Sequence, residues 1–302
     1  MSLESYVTGL MKEPSPKGMD RLVLSGLSQL AKMYFSQVEK KRTADMAAAV
    51  SAHVPVISVG NITAGGTGKT PCILMLAELF RSIGQKPAII SRGYKSGLEK
   101  EGGCVSDGRS ILVSQQMAGD EPYMMARKLP SVPIFIGKDR IASVKRAEEM
   151  GVGILLLDDG FQYWKLRRDQ DIILIDATNP FGYGHGLPRG LLREPLDALS
   201  RASLFILTKS DQVHLTDLME IREELARLAP GVPVLSSTHA PSKVVPYEKW
   251  KAFLHEGTLE DVRMKKAYLV SGIGNPAAFK KTAKEAGLRP VGEMPFPDHH
   301  RY

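Results

Sequence analysis

The sequence predicts an α/β protein built on one doubly wound, mostly parallel sheet. From residue 54 onward, short apolar runs alternate with helical patterns, which is the order expected of successive βαβ units. The first of these runs enters a glycine-rich turn and then a helix, a common place for a ligand-binding loop in such sheets. Seven runs are predicted as strands: residues 56–60, 87–91, 132–137, 153–159, 171–176, 204–209 and 232–237.

The segment before the first strand predicts a basic amphipathic helix over residues 20–46. Apolar side chains recur there at mostly helical spacing, and Lys40, Lys41 and Arg42 follow them. Such a helix either packs on the core of its domain or lies in a membrane interface. The residues by themselves leave both interpretations open.

The turn after the first strand predicts a phosphate-binding loop. Glycines allow backbone N–H groups to close around phosphate oxygens, a lysine adds a mobile cation, and a hydroxyl can ligate magnesium. A helix predicted from Pro71 to Gly84 directs its positive end at the anion. The strict pattern has glycine where this chain has Thr63. The loop comprises Thr63, Ala64, Gly65, Gly66, Thr67, Gly68, Lys69 and Thr70. It predicts a P-loop NTPase-like domain that binds a nucleoside triphosphate.

Paired carboxylates follow another predicted strand. Asp158 and Asp159 come directly after the four aliphatic residues 154–157. Carboxylates at the carboxyl end of a buried strand can hold magnesium directly or through water, and ligands of parallel sheets bind beyond those ends. Asp176 likewise ends the next predicted strand, and it is an alternative ligand for the metal. A magnesium site that combines one of these carboxylates with Thr70 is therefore predicted.

Three further places carry candidate residues. Asp120 precedes a predicted helix, and it either caps that helix or acts as general base for an attacking hydroxyl. Arg193 and Glu194 fall in a loop rich in glycine and proline, where an arginine can hold phosphate oxygens or remain idle on the surface. The polar cluster DHH at residues 298–300 is either functional or a solvated terminus.

An alternative function follows from residues 208–211. Their sequence, TKSD, follows a strand and resembles the base-selecting element of many GTPases. A P-loop GTPase or ATPase that is peripheral to the membrane is therefore the competing hypothesis.

Composition limits the partners. The chain has 302 residues, a hydrophobic content of 43% and a formal net charge of +7, which predicts a globular protein with anionic partners. No nucleic-acid-binding motif is present, and the basic residues are not interleaved with aromatic ones, so nucleic acid is not expected as a partner. No apolar run is long enough to span a bilayer and no signal-peptide pattern precedes the chain, so a cytoplasmic protein is expected.

The pattern changes around residues 240–262 to charged, turn-prone sequence. A strand, a glycine turn and a helix then recur over residues 266–287. We therefore predict an N-terminal amphipathic helical region over residues 1–50, a P-loop domain over residues 51–240 and a smaller C-terminal α/β unit over residues 241–302.

Taken together, an ordered set of motifs resembles the tetraacyldisaccharide 4′-kinase family, the lipid A 4′-kinases. The motifs are GNITAGGTGKTP at 60–71, SRGY at 91–94, GDEP at 119–122, DDGFQ at 158–162, NPFGYG at 179–184, LREP at 192–195, SGIGNP at 271–276 and FPDHH at 296–300. The resemblance implies transfer of phosphate from ATP to the 4′-hydroxyl of a tetraacyldisaccharide 1-phosphate, at the cytoplasmic face of the bacterial inner membrane. Because this lipid-linked substrate stays in the bilayer, the resemblance favours peripheral contact of the N-terminal helix with the anionic membrane.

The resemblance also implies roles for single residues. Lys69 would contact the β- and γ-phosphates. Asp120 matches the base of the family, assisted by His299, and Arg193 with Glu194 matches a further active-site pair. The implied nucleotide site comprises residues 63–70 with Gln162, and the implied magnesium ligands are Thr70 and one of Asp158 and Asp159.

The chain departs from the family pattern at its end. After the pair that corresponds to Asp298 and His299, family members continue with a strand and a helix that carry a TEKDAVK-like segment. This chain ends at Tyr302. The C-terminal unit is therefore expected to be truncated.

Overall fold

The structure, a computed structural model, describes residues 3–13, 16–238, 240–252, 254, 256–273 and 276–296. The chain forms two compact units, residues 1–237 and residues 238–302. The three-part division that the sequence predicts, with boundaries at residues 50 and 240, stays a prediction.

The first unit is built on a sheet that has eight strands within the described residues. The strands are β1 (Val56–Gly60), β2 (Pro87–Ser91), β3 (Gly103–Asp107), β4 (Pro133–Ile136), β5 (Ile154–Asp158), β6 (Gln170–Asp176), β7 (Leu204–Thr208) and β8 (Val234–Ser236). Their order is β3-β4-β2-β5-β1-β6-β7-β8, and every neighbouring pair is parallel except β3 with β4. The predicted doubly wound, mostly parallel α/β fold is confirmed, and all seven predicted strands are present.

Strand β3 corrects the prediction of a seven-stranded sheet. Its sequence, GCVSD, contains one aliphatic residue, Val105, so no apolar run marks it. As an edge strand it pairs with β4 alone, in the antiparallel direction. An edge strand buries fewer side chains than a central one, which is why its sequence pattern is weak.

Helices cover both faces of this sheet. The described helices of the first unit are α1 (Leu3–Lys12), α2 (Met19–Ala47), α3 (Lys69–Ser82), α4 (Gln115–Ala118), α5 (Asp120–Lys128), α6 (Arg140–Glu149) and α7 (Leu215–Leu228). Ile73 of α3 packs in the same cluster as Ile89 of β2, whereas Val144 of α6 packs in another cluster with Ile90. Because neighbouring residues of a strand point to opposite faces, α3 and α6 lie on opposite sides of the sheet.

Helix α2 confirms the predicted N-terminal helix and has apolar residues on two sides. Leu24 and Ala31 are buried. In contrast, four large apolar side chains are more than half exposed: Met19, Leu22, Leu30 and Met33. No helix in the described ranges combines the length and the apolar character that crossing a membrane requires.

The second unit contains α8 (Tyr247–Lys251), β9 (Lys266–Ser271), α9 (Pro276–Glu285) and β10 (Arg289–Pro295). Strands β9 and β10 form a parallel pair. The sequence does not predict β10, because its RPVGEMP segment has two prolines and a glycine, which rarely occupy strand interiors. Asp298, His299 and His300 lie outside the described residues.

Candidate functional site

The predicted phosphate-binding loop connects β1 to α3. Its Gly65 and Gly68 have φ angles of +116° and +87°, where a side chain would strain the backbone. Helix α3 begins at Lys69, so the unbonded N–H groups of its first turn and its positive end face the loop. Thr67 Oγ1 is buried and has no hydrogen-bond partner among the described residues. These features suit an anionic ligand.

Lys69 is held by Asn61, which was not among the predicted site residues. Lys69 Nζ donates to Asn61 Oδ1 at 3.0 Å, and Asn61 Nδ2 donates to the carbonyl of Thr63 at 2.6 Å. Asn61 is fully buried and directly follows β1. A polar residue at the carboxyl end of a buried strand is the signal that could have identified it, as it did for the aspartates after β5.

Asp158 is a buried carboxylate. It is 6% exposed and accepts a hydrogen bond from Ser91 Oγ at 2.9 Å. Burial raises the pKa of Asp158 above its ordinary value, and the Ser91 hydrogen bond and the charge of Arg140 oppose this only in part. Asp158 is therefore a desolvated acid that a nearby cation would stabilise.

Asp159 has a different environment. Its φ of +47° is unusual for a residue with a side chain, and such strain is common at functional sites. Arg193 Nη1 and Nη2 donate to its two carboxylate oxygens at 2.7 and 3.1 Å, and Lys69 Nζ lies 3.7 Å away. Burial alone would raise the pKa of Asp159, but the hydrogen bonds and charge of Arg193, with the charge of Lys69, lower it.

Arg193 reaches this site because its segment pairs with the phosphate-binding loop. The N–H of Arg193 donates to the carbonyl of Ile62 at 2.7 Å, and the N–H of Ala64 donates to the carbonyl of Leu191 at 2.7 Å. Thr63 forms an antiparallel bridge with Leu192, which lies between Leu191 and Arg193. Thr63 stands where the strict loop pattern has glycine. Because it pairs in a short ladder, its backbone is extended, and this conformation does not require glycine.

Glu194 holds Gln162. Glu194 is fully buried, and its Oε1 accepts hydrogen bonds from Gln162 Nε2 at 3.0 Å and from Arg201 Nη2 at 2.9 Å. Gln162 Nε2 also donates to the carbonyl of Asn61 at 3.1 Å. The guanidinium of Arg201 lies 4.2 Å from the ring centre of Phe161. These contacts support a role for Glu194 in positioning the side chain of Gln162.

Replacing Glu194 with glutamine is expected to destabilise the protein by about 2 kcal/mol, because Arg201 loses its carboxylate partner in a mostly buried site. Urea denaturation measures this change. Glu224→Gln is the matched control, since Glu224 pairs with Arg227 on the surface and its loss is expected to cost less than about 0.5 kcal/mol. Equal costs for the two variants would contradict the assigned role of Glu194.

Helix α5 brings a second carboxylate to the loop. Thr70 Oγ1 donates to Glu121 Oε1 at 3.3 Å, and Glu121 was not among the predicted site residues. Its neighbour Asp120 is exposed and accepts a hydrogen bond from Gln115 Nε2 at 2.8 Å. The N-cap of α5 is Gly119, so Asp120 does not cap the helix. The acidic pair in GDEP is the signal that points to Glu121.

These oxygens fit a hard divalent cation. Magnesium in phosphate-transfer sites uses one or two carboxylates together with phosphate oxygens and water. Thr70, Glu121 and Asp158 supply such donors, and the buried Asp158 takes part in no ion pair within the described chain. Asp159 is bound by Arg193. Within the same ranges, no group of three or more His, Cys, Asp or Glu side chains is arranged to hold a metal without other ligands.

A basic cavity of about 680 Å³ lies next to Asp159 and Gln162. Three aspartates line it, but seven lining residues are cationic: Lys41, Arg92, Lys100, Lys138, Arg140, Lys165 and Arg193. Arg140, which was not among the predicted site residues, is buried and donates to the carbonyl of Asp159 at 3.0 Å. Burial lowers the pKa of Arg140, and the neighbouring carboxylates of Asp159 and Asp158 oppose this. The cavity therefore suits an anionic molecule.

Comparison with known proteins identifies the family. The model of the tetraacyldisaccharide-1-P 4′-kinase family, LpxK, matches residues 21–302. The chain belongs to the tetraacyldisaccharide-1-P 4′-kinase family. The predicted family, kinase function and enzyme class are confirmed.

Proteins of this family align with most of the chain. A tetraacyldisaccharide 4′-kinase of Halothermothrix orenii is 38% identical over an alignment of 310 positions, which covers 99% of this chain and 80% of the relative. One of Desulfatibacillum aliphaticivorans is 42% identical over 252 residues, but this chain spans only 66% of that relative. A crystal structure of LpxK from Aquifex aeolicus in complex with ATP has a TM-score of 0.70 and 30% identity, covering 92% of this chain and 83% of that one.

Membership in the LpxK family favours the kinase over the alternative of a membrane-peripheral GTPase or ATPase. The GTPase-like segment still lies near the phosphate-binding loop, since Thr208 Cγ2 is 3.6 Å from an ideal Cβ built on Gly68. Lys209 forms an ion pair with Asp176, the rival carboxylate for the metal. Asp176 is thus neutralised by a lysine that follows the neighbouring strand.

Proposed function

We propose that this chain transfers the γ-phosphoryl group of ATP to the 4′-hydroxyl of a tetraacyldisaccharide 1-phosphate. Family membership supports the reaction class. The observation that carries the proposal for this chain is the network of Lys69, Asn61, Arg193 and Asp159, which joins the phosphate-binding loop to a cavity with seven cationic lining residues.

In the proposed reaction, the 4′-oxygen of the acceptor bonds to the γ-phosphorus as the bond from phosphorus to the β–γ bridging oxygen breaks. ADP leaves, and the hydroxyl proton passes to a base. Lys69 and the loop amides hold the phosphate oxygens, and Arg193 stabilises the charge on the transferring group. Positioning and charge stabilisation account for most catalysis of this kind.

Thr70, Glu121 and Asp158 would hold magnesium at this site. Magnesium held there would supply positive charge to the phosphate oxygens and to the leaving group. Of the two predicted aspartates, Asp158 is preferred because both oxygens of Asp159 accept hydrogen bonds from Arg193.

Asp120 is proposed as the base. Its helix contacts the phosphate-binding loop through Glu121 and Thr70, and its carboxylate is exposed to an incoming acceptor. The assisting role of His299 rests on the family resemblance, because that residue lies outside the described part of the chain.

The acceptor is proposed to enter the basic cavity from a membrane surface. The cationic lining matches a phosphorylated sugar, and the exposed apolar side chains of α2 match an interface with acyl chains. We propose peripheral binding of α2 to the anionic cytoplasmic face of the inner membrane, with residues 1–50 as the membrane region, residues 51–240 as the kinase domain and residues 241–302 as an accessory unit.

The test is a phosphorylation assay with magnesium, ATP and the disaccharide lipid in detergent. Asp120→Asn is expected to lower kcat by about 100-fold or more while the KM for ATP changes little, since a base acts on the acceptor proton. Asp197→Asn, at an exposed aspartate outside the cavity lining, is the control. Near-normal kcat in Asp120→Asn would reject Asp120 as the base, and no transfer by the wild type would reject the proposed function.

A further inference from the structure

Helix α2 is attached to the segment that carries Arg193. Tyr34, near the middle of the helix, donates its hydroxyl proton to the carbonyl of Arg193 at 3.1 Å. The next residue, Phe35, packs so closely on the same segment that an ideal Cβ on Gly186 would lie 2.5 Å from Phe35 Cζ. Burial raises the pKa of Tyr34, so its hydroxyl remains a donor at neutral pH.

The backbone of Arg193 is thus held from two sides. Its N–H donates to the carbonyl of Ile62 beside the phosphate-binding loop, and its carbonyl accepts from Tyr34. Its side chain donates to both oxygens of Asp159. Because a two-bond guanidinium contact depends on direction as well as distance, a shift of the backbone would move the guanidinium away from this alignment.

Tyr34 also lies between two different surfaces of α2. Leu30 and Met33, within one helical turn before it, are more than half exposed, whereas Lys41 further along the helix lines the basic cavity. The helix therefore connects an exposed apolar surface to the wall of the candidate site, and Tyr34 is the residue whose side chain reaches the backbone of a candidate catalytic group.

We propose that Tyr34 is a positioning residue for phosphoryl transfer, which ties helix α2 to the backbone of Arg193 and so aligns the Arg193 guanidinium. This inference rests on the proposed kinase function. It assigns to α2 a part in turnover that is separate from binding a lipid surface, because the attachment acts on Arg193 whether or not the exposed side chains are covered.

Tyr34→Phe removes the hydroxyl and keeps the ring. In the detergent assay this variant is expected to have a kcat about fivefold lower, the usual effect of one neutral hydrogen bond, with the KM for ATP and for the lipid within about twofold of the wild type. Tyr268→Phe is the matched control, since it removes another tyrosine hydroxyl that donates to a backbone carbonyl, that of Glu293 at 3.4 Å in the second unit. That variant is expected to keep the wild-type kcat.

A double-mutant cycle separates alignment from general support of the fold. In an Arg193→Ala background, Tyr34→Phe is expected to lower kcat no further, because the group that it aligns is gone. An equal fivefold loss in that background would overturn the inference, as would a normal kcat in Tyr34→Phe or a change confined to the KM for the lipid. A wild type without transfer activity rejects the proposed function itself, whereas an active wild type with an unaffected Tyr34→Phe variant rejects this inference alone.

Discussion

Lys69→Ala is expected to lower kcat by about 1,000-fold or more, which would leave transfer close to the limit of detection. Lys69 Nζ lies between Asn61 Oδ1 at 3.0 Å and Asp159 Oδ1 at 3.7 Å, in the first turn of the helix that follows the loop. Alanine removes the cation that is proposed to contact the phosphates, and it leaves less positive charge beside the Asp159 carboxylate. The measurement is the initial rate of ADP release with saturating lipid and magnesium.

Lys86→Ala is the matched control for this variant. Lys86 is exposed and directly precedes β2. It therefore lies at the amino ends of the parallel strands, whereas the loop lies at their carboxyl ends. Its replacement is expected to leave kcat within about twofold of the wild type, because exposed charges far from a site contribute little. Retention of more than about a tenth of wild-type kcat by Lys69→Ala would show that this lysine does not stabilise the transferring phosphate.

Asp158→Asn is expected to lower magnesium-dependent kcat by about 100-fold or more, because the proposed magnesium site would lose a charged oxygen ligand. The same variant is expected to unfold at higher temperature in chelator-containing buffer at neutral pH. Burial raises the pKa of Asp158, so the folded protein prefers the neutral acid, and asparagine is neutral at every pH. Gain of stability with loss of turnover is typical of a buried functional charge.

The raised pKa of Asp158 also predicts how the stability gained in Asp158→Asn changes with pH. A carboxyl whose pKa is raised by folding contributes stability below its ordinary pKa, and that contribution is lost as pH rises through the raised value. The stability difference between Asp158→Asn and the wild type should therefore grow from acidic to neutral pH. Thermal unfolding in chelator at several pH values measures it.

Asp159→Asn provides the opposite case. Arg193 and Lys69 lower the pKa of Asp159, so its charge stabilises the folded protein above its ordinary pKa, and this stabilisation is lost as pH falls through the lowered value. Asp159→Asn is therefore expected to destabilise the protein at neutral pH. If both variants shifted the melting temperature in the same direction, the contrast between the two carboxylates would be wrong.

Strands that are buried on both faces have the clearest sequence patterns. All five residues of β5, Ile154–Asp158, are buried, as are those of β2, Pro87–Ser91, and each reads as an apolar run. Strands β3 and β10 were not predicted, since an edge position or a small sheet does not require an apolar run. Helix α3 begins two residues before the predicted Pro71, because Gly68 ends the loop with a left-handed backbone.

The order of residues in the chain was sufficient to predict the phosphate-binding loop, the carboxylates after β5 and the α/β class. These features depend on neighbouring residues and on the apolar character of buried strands, both of which are visible in a linear sequence. The folded chain was needed to reveal that Arg193 binds Asp159, that Asn61 holds Lys69, and that Tyr34 contacts the Arg193 backbone. Tyr34 and Arg193 are 159 positions apart. Contacts of this kind form only when separate segments meet at one edge of the sheet, so hydrophobic periodicity and local turn chemistry do not encode them.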